Sequence, residues 1–472
     1  MGISQTKVSR STVRTGVGTK TKEICLGATL IRFRATVCVA LAVFSIQSPS
    51  VADDATSLTI DRDVATTIDY DVQITGEIVT PSADGARRFP LKSSGEFQFR
   101  NEPFPTDLGG PFSLRAVRKF ESAATTTTVG ADHVTKVALL SAYRSIHVFG
   151  DETGLLKVSP KYSLPRKQLD LLEIPFDPIA VGAMLPGSSV SKDDKWNTDV
   201  WVVPMLTGIE AVVEQSTTCR LETVSSKKAV VTFEGKISGA VRGSASEISF
   251  DGQFVIDREA GLIESFTAQQ KEKRSPGPVS PGLDVTVDIK WTQQATDRSP
   301  AADTPPIRES PSDSQKLLVL QTPLRLQFRH SREWHLFHET PTVLMMRQLR
   351  DGNLISQCNI SSAVAVPPKE HTPDKEFLAD VTESVAERRG KVTKEETVRD
   401  DAEWRIRRIQ GVGNADGETI IWDYYLCSEA SGQQFSLVFS HAEKDEAEFA
   451  DSATKILSTL QIARPKPALP FR

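Results

Sequence analysis

Five cysteines in 472 residues, none in a CxxC pair, exclude a disulfide framework as the source of this chain's stability. No GxSxG, Walker A or GxGxxG motif occurs, so the common hydrolase, phosphate-loop and dinucleotide chemistries have no sequence support. The nearest glycine look-alike, Gly411-Val412-Gly413 ahead of Gly417, falls at a hairpin turn with no helix start for a phosphate. No HExxH pair occurs either. The apolar run Ala35 to Ile46 is too short to span: its twelve residues make a helix of about 18 Å against a hydrocarbon core of roughly 30 Å. A strong basic patch is also missing. Residues 1–52 carry a formal +6, which leaves −11 on the remainder of a chain whose total is −5. A body that acidic repels a phosphate backbone, and nucleic acid is excluded as a partner.

Arg32 and Arg34 precede the uncharged run, and Ser50-Val51-Ala52 follows it with small side chains at the −3 and −1 positions. This is the layout of a secretory signal, with cleavage expected between Ala52 and Asp53. The alternative is an uncleaved anchor. Export places the chain in the periplasm or outside the cell, with no stable span after processing. The Gly2 and Thr6 match to a myristoylation pattern is read as chance.

Composition breaks over 294–316, where Pro, Ser and Asp dominate and no apolar period persists, so that stretch reads as a linker. Before it, residues 56–293 read as an antiparallel β-sheet domain. Tyr70, Val72, Ile74 and Ile78 share one face, and Val285, Val287, Ile289 and Trp291 alternate with polar residues. Short connections between one-sided strands require antiparallel pairing. The one less strand-like stretch, Leu164 to Leu185, is expected to cover the apolar face, with a short helix starting at Pro178.

Residues 317–462 mix periods. Thr372-Pro373-Asp374 opens a helix, with Thr372 as N-cap, and Phe377, Val381 and Val385 line its apolar side. Phe449, Ala453, Ile456, Leu457 and Leu460 form the stripe of a closing amphipathic helix. Helices on an antiparallel sheet make this half α+β. The tail 463–472 is expected to fray.

The stretches QTPLRLQFRHSREW (321–334), QCNISSA (357–363), IIWDYYLCSEASGQQFSLVFS (420–440) and SATKILSTLQI resemble the fold shared by the Mog1 and PsbP proteins. That resemblance implies a protein-binding or accessory module. The whole chain past the signal resembles secreted, uncharacterised proteins of planctomycete-type bacteria. The first domain is similar, in pattern only, to the curved sheets of lipoprotein-carrier proteins.

Candidate chemistry is sparse. His330, His335 and His338 cluster locally, but a turn or surface role is favoured over metal binding. His133, His147, His371 and His441 are scattered, and Asp193-Asp194 and Asp400-Asp401 read as solvated turns. Small residues at Ser238-Gly239-Ala240 and Gly243-Ser244-Ala245 admit close approach of a ligand or backbone. Cys219 is expected to be a buried thiol. Cys358 and Cys427 either form one disulfide or stand as two separate buried thiols, the second being favoured. No catalytic, cofactor or metal residue is assigned. The reading is an exported, non-enzymatic accessory, binding or scaffold protein. The alternative is a periplasmic carrier holding an apolar ligand in the first domain's curved sheet.

Overall fold

The computed structural model describes residues 55–83, 85–104, 106–298, 310–415, 417–449 and 451–463. The cleavage site at Ala52 and Asp53, most of the tail, and the middle of the 294–316 stretch lie outside these residues. Strand accounts for 56% and helix for 15%, so the architecture is mostly antiparallel β, arranged in three open sheets.

The first sheet has twelve strands. They are β1 (Thr66–Ser82), β2 (Gly85–Pro103), β3 (Arg115–Val129), β4 (His133–Ala138), β5 (Ser145–Asp151) and β6 (Gly154–Val158), then β7 (Lys195–Trp196), β8 (Ala211–Val224), β9 (Lys228–Val241), β10 (Ser244–Asp257), β11 (Leu262–Arg274) and β12 (Gly282–Ala295). Their order is β6-β5-β3-β2-β1-β12-β11-β10-β9-β8-β7, with β4 beside β3. Period-two burial runs through these strands as the sequence predicts: Tyr70, Val72, Val285, Val287, Ile289 and Trp291 are all buried. Between β6 and β8 the chain leaves the sheet for α1 (Arg166–Leu172), α2 (Pro178–Val181) and α3 (Val202–Thr207), which lie against the apolar face. The cover expected over 164–185 is present and starts a helix at Pro178, capped by the Asp177 carboxylate on the Ile179 N–H. α3 has no counterpart in the sequence reading, because six residues are too few to show a helical period.

The second half contains α4 (Asp313–Lys316) and a small sheet of β13 (Leu318–Gln321), β14 (Leu326–His330) and β22 (Gln461–Ile462). Its main sheet runs β15-β16-β17-β21-β20-β19-β18. The ranges are β15 Trp334–Glu339, β16 Val343–Arg350, β17 Asn353–Ser362, β18 Lys391–Asp400, β19 Trp404–Ala415, β20 Glu418–Glu429 and β21 Gln434–Ala442. α5 (Asp374–Glu387) packs Phe377, Val381 and Val385 on one face of this sheet against Ile409, Trp422 and Leu426. α6 (Glu446–Phe449) and α7 (Ser452–Leu457) pack on the other face.

Two local expectations are corrected. Pro373, not Thr372, occupies the N-cap of α5, because its backbone is extended and the Thr372 N–H and hydroxyl are engaged by the Gln434 side chain. All five residues of the closing stripe are buried, yet they sit on two short helices rather than one. Leu460 enters the core just ahead of β22, which pairs with β14, so an extended segment completes what the period assigned to helix.

All three described cysteines are free and buried. Cys358 on β17 is opposite Phe439 and Cys427 on β20 is opposite Phe435, on either side of the same strand β21. Two strand spacings, about 9.6 Å before any stagger along the strand, exceed the ~7 Å Cα separation a bridge tolerates. Burial pushes every thiol up, Cys219 to about 12, so none reacts while folded. Thiol titration of the unfolded, non-reduced chain beyond residue 52 is therefore expected to count three. A count of one would mean that the β17 and β20 thiols had bridged.

Candidate functional site

Among the described residues, polar side chains gather in two buried clusters and one open trough, besides the contacts between the two halves. The first cluster pins the covering segment to the sheet. Arg118, on the core side of β3, reaches Asp177 with two guanidinium nitrogens, Nη1 at 2.8 Å from Oδ2, and its Nε donates to Asn101 Oδ1 at 3.0 Å. Lys157 of β6 stands 3.5 Å from the same carboxylate, and the Arg118 guanidinium lies 4.9 Å over the Phe99 ring. Both side chains of the Arg118–Asp177 pair are 1% exposed. Burial by itself would raise the Asp177 pKa. The Arg118 charge and hydrogen bonds, with Lys157, outweigh it and hold the carboxyl at about 2. Beside the pair, Tyr70 donates its hydroxyl to the Pro175 carbonyl at 2.6 Å. Phe176 then turns through a left-handed backbone (φ 46°), and its ring meets Phe250, Phe266 and Phe233 at 5.4, 5.4 and 5.8 Å. The cluster is closed to solvent and works as a clamp. Sequence reading missed it. Its one signal was Arg118 sharing a strand face with Ala116 and Phe120.

The second cluster lies at one end of the main sheet of the second half. Asp423 Oδ1 accepts from Arg408 Nε (3.0 Å) and Nη2 (2.8 Å) and from Gln410 Nε2 (3.1 Å), and Arg408 Nη1 donates to Glu396 at 2.6 Å. Nearby His441 is 4% exposed, stacks on Phe449 at 4.3 Å, and has no hydrogen-bond partner on either ring nitrogen. Burial lowers its pKa, outweighing the opposite pull of Asp423, Glu446 and Asp445. Asp423 is 1% exposed and His441 is covered by Phe449 of α6, so neither presents a reactive atom to a substrate.

The trough is on the outer face of β8–β12 and has a volume of about 720 Å³, with a smaller extension of about 470 Å³. Cross-strand register aligns Thr218, Glu234, Asp251, Gln269 and Asp288 in one row. Ser216, Lys236, Ser249, Lys271 and Thr286 form the next. Gln269 donates to Asp288 at 2.9 Å. Glu234 and Asp251 face each other directly, a like-charge pairing that costs a sheet stability unless something else offsets it. Gly235 and Gly252 set the inner surface here: an added Cβ would lie 2.4 Å from the Phe250 ring and 2.6 Å from the Phe233 ring respectively. The trough is polar, mixed in charge and open.

The residues singled out from sequence separate. His330 and His335 approach the same cation, Arg166, whereas His338 is exposed on β15. Among the described residues no group of three or more His, Cys, Asp or Glu is arranged to hold a metal. Asp193 pairs with Arg220, Asp194 accepts from the Ser191 N–H, and Asp401 accepts from the Glu403 and Trp404 N–H groups, all at turns. At the small-residue site, a Cβ on Gly243 would come within 2.6 Å of the Gly352 carbonyl oxygen, so another stretch of backbone does approach closely there. Among the described residues no helix is long and apolar enough to cross a membrane.

No family model matches this chain, and no curated protein does. Among solved structures, one described as lipid-protein interactions in lipovitellin matches with 9% identity and a TM-score of 0.28, over 51% of this chain and 26% of that one. Pseudomonas aeruginosa OccK11 matches with 8% identity and a TM-score of 0.12, over 82% of this chain and 96% of that one. The outer membrane protein OprD of the same organism matches with 7% identity and a TM-score of 0.13, over 82% and 95%. These scores carry no argument about function.

Proposed function

We propose that this is an exported, non-enzymatic binding or scaffold protein that engages a polar partner through the trough on the outer face of β8–β12. One observation carries the reading: the chain's own segment, centred on Phe176, fills the apolar face where a carrier would hold its cargo. Val181, Met184, Val202 and Leu206 in that cover are fully buried. A carrier needs an apolar pocket open to solvent, whereas the concavity left open here is lined by hydroxyls, amides and charges of both signs. In this reading residues 56–293 and 317–462 are two domains joined by 294–316. The second is Mog1/PsbP-like, supported by an antiparallel sheet with α5 on one face and α6–α7 on the other.

The carrier reading keeps one observation of its own. The cover is a separate layer of short helices over a continuous aromatic surface. Native mass spectrometry of protein purified from its own host separates the two. The scaffold reading expects a chain beginning at Asp53, free of lipid, with any bound species lost on replacing Glu234 and Asp251 by Ala. A stoichiometric lipid that survives those replacements would establish the carrier instead.

A further inference from the structure

The first sheet and the second half meet along a seam built largely from arginine side chains and backbone carbonyls. Arg166 of α1 donates through Nη2 to the carbonyls of Arg332, at 2.5 Å, and Trp334, at 3.2 Å. Arg332 answers by donating to the Lys157 carbonyl at 2.6 Å and the Lys316 carbonyl at 3.1 Å. The Val319 N–H donates to the Leu164 carbonyl at 3.0 Å, closing a short parallel bridge. Two imidazoles are set into this seam from the second half. His330 is 2% exposed, with Nδ1 2.8 Å from the Ser331 carbonyl, so that nitrogen carries the proton and donates. His335, the second residue of β15, is opposite Arg347 of β16.

The charges facing these rings are largely of their own future sign. Arg166 of α1 acts on both rings, Arg242 of the β9–β10 turn acts on His335 as well, and Arg347 of β16 is its partner in register. The acids of the neighbourhood are committed elsewhere: Asp170 and Glu173 accept from Arg242 at 2.9 and 3.3 Å, and Glu210 accepts from the Arg242 N–H at 2.8 Å. Asp151, also near Arg332, binds its own turn. A proton added to either ring therefore places a cation near Arg166 with no uncommitted carboxylate beside it among the described residues, at His330 fully buried and at His335 partly so.

We infer that the seam is an acid-released latch, in which charging His330 and His335 separates α1 from the β14–β15 turn while both sheets stay folded. Burial, reinforced by Arg166, holds His330 at about 4 and, with Arg242 added, His335 at about 3. Both rings are neutral in the closed seam. Once hydrated they charge near pH 6.5, so closure is fully favoured above that pH and loses ground as pH falls toward 4. The window lies between neutrality and mild acid.

Hydrogen exchange on the full chain, corrected for the intrinsic pH dependence of exchange, tests this. Between pH 7 and pH 5 the Val319 amide, whose acceptor is across the seam, is expected to exchange at least tenfold faster. Amides in the middle of β20 and β1 should hold their rates. Replacing His330 by Asn and His335 by Gln should remove that selective gain. Equal acceleration at the seam and in both sheets would mean global unfolding, and an unchanged gain in the double variant would assign the effect elsewhere; either overturns the latch. If the double variant fails to fold, the unaltered chain still decides. Its two ring signals should titrate below pH 5 by NMR, and midpoints near 6.5 would sink the idea.

Discussion

Asp177→Ala is expected to cost this protein about 3–5 kcal/mol, because it breaks a buried ion pair by removing one partner. The substitution leaves Arg118 and Lys157 buried without their anion, removes the N-cap of α2, and frees the turn that seats Phe176. Urea unfolding followed by intrinsic tryptophan fluorescence reads it directly, because Trp291 donates to the Phe176 carbonyl and stacks on Phe266. Asp177→Asn keeps an acceptor for the Ile179 N–H and should lose less. The contribution of the pair should persist down to pH ~4, since a carboxyl held at about 2 keeps its charge until pH falls below the ordinary carboxylate range. A loss under 1 kcal/mol in the Ala variant would show that the clamp is not what holds the cover down.

Leu457→Asp is expected to unfold the second half outright. Leu457 is 2% exposed and packs in the core shared by α6, α7 and the main sheet, so the substitution buries a carboxylate among apolar side chains. Circular dichroism in the aromatic region should lose the signal of Trp334, Tyr425 and Phe439, whose rings adjoin in that core. An unchanged thermal transition would mean that α7 does not face the core in solution.

The strands were legible because their apolar residues alternate without a fault and the sheet they form is wet on one side. Val285 to Trp291 is the clearest case. The covering segment was legible because it broke that alternation and carried Asp177-Pro178. The clamp, the trough and the seam were not, and for a shared reason. Each depends on register between distant strands, and a period of two says which face a residue takes but not which residue it will meet. Arg118 looks like any strand cation until β3, β6 and the covering turn are brought together. Glu234 and Asp251 are unremarkable until the β9–β10 register sets them opposite. His330 and His335 were noticed for their spacing, whereas what distinguishes them is Arg166, more than 160 residues earlier in the chain.

Nearly every strand of the first sheet pairs with a close neighbour in sequence, and the exception is β1 with β12. Thr66 and Gln293, joined across that seam, are 227 residues apart. In a chain that emerges from its N-terminus, β1 can form its hairpin with β2 early, but its other edge has no partner until almost the entire sheet has been made. Closing so long a loop adds only about 0.6 kcal/mol per doubling of its length, so the delay is one of time rather than stability. During it, a seventeen-residue edge stands open to any other extended chain. The vulnerable moment in the life of this protein is therefore before β12 arrives, and substitutions that weaken the β12 strand should lower yield through aggregation more than they lower the melting temperature of what does fold.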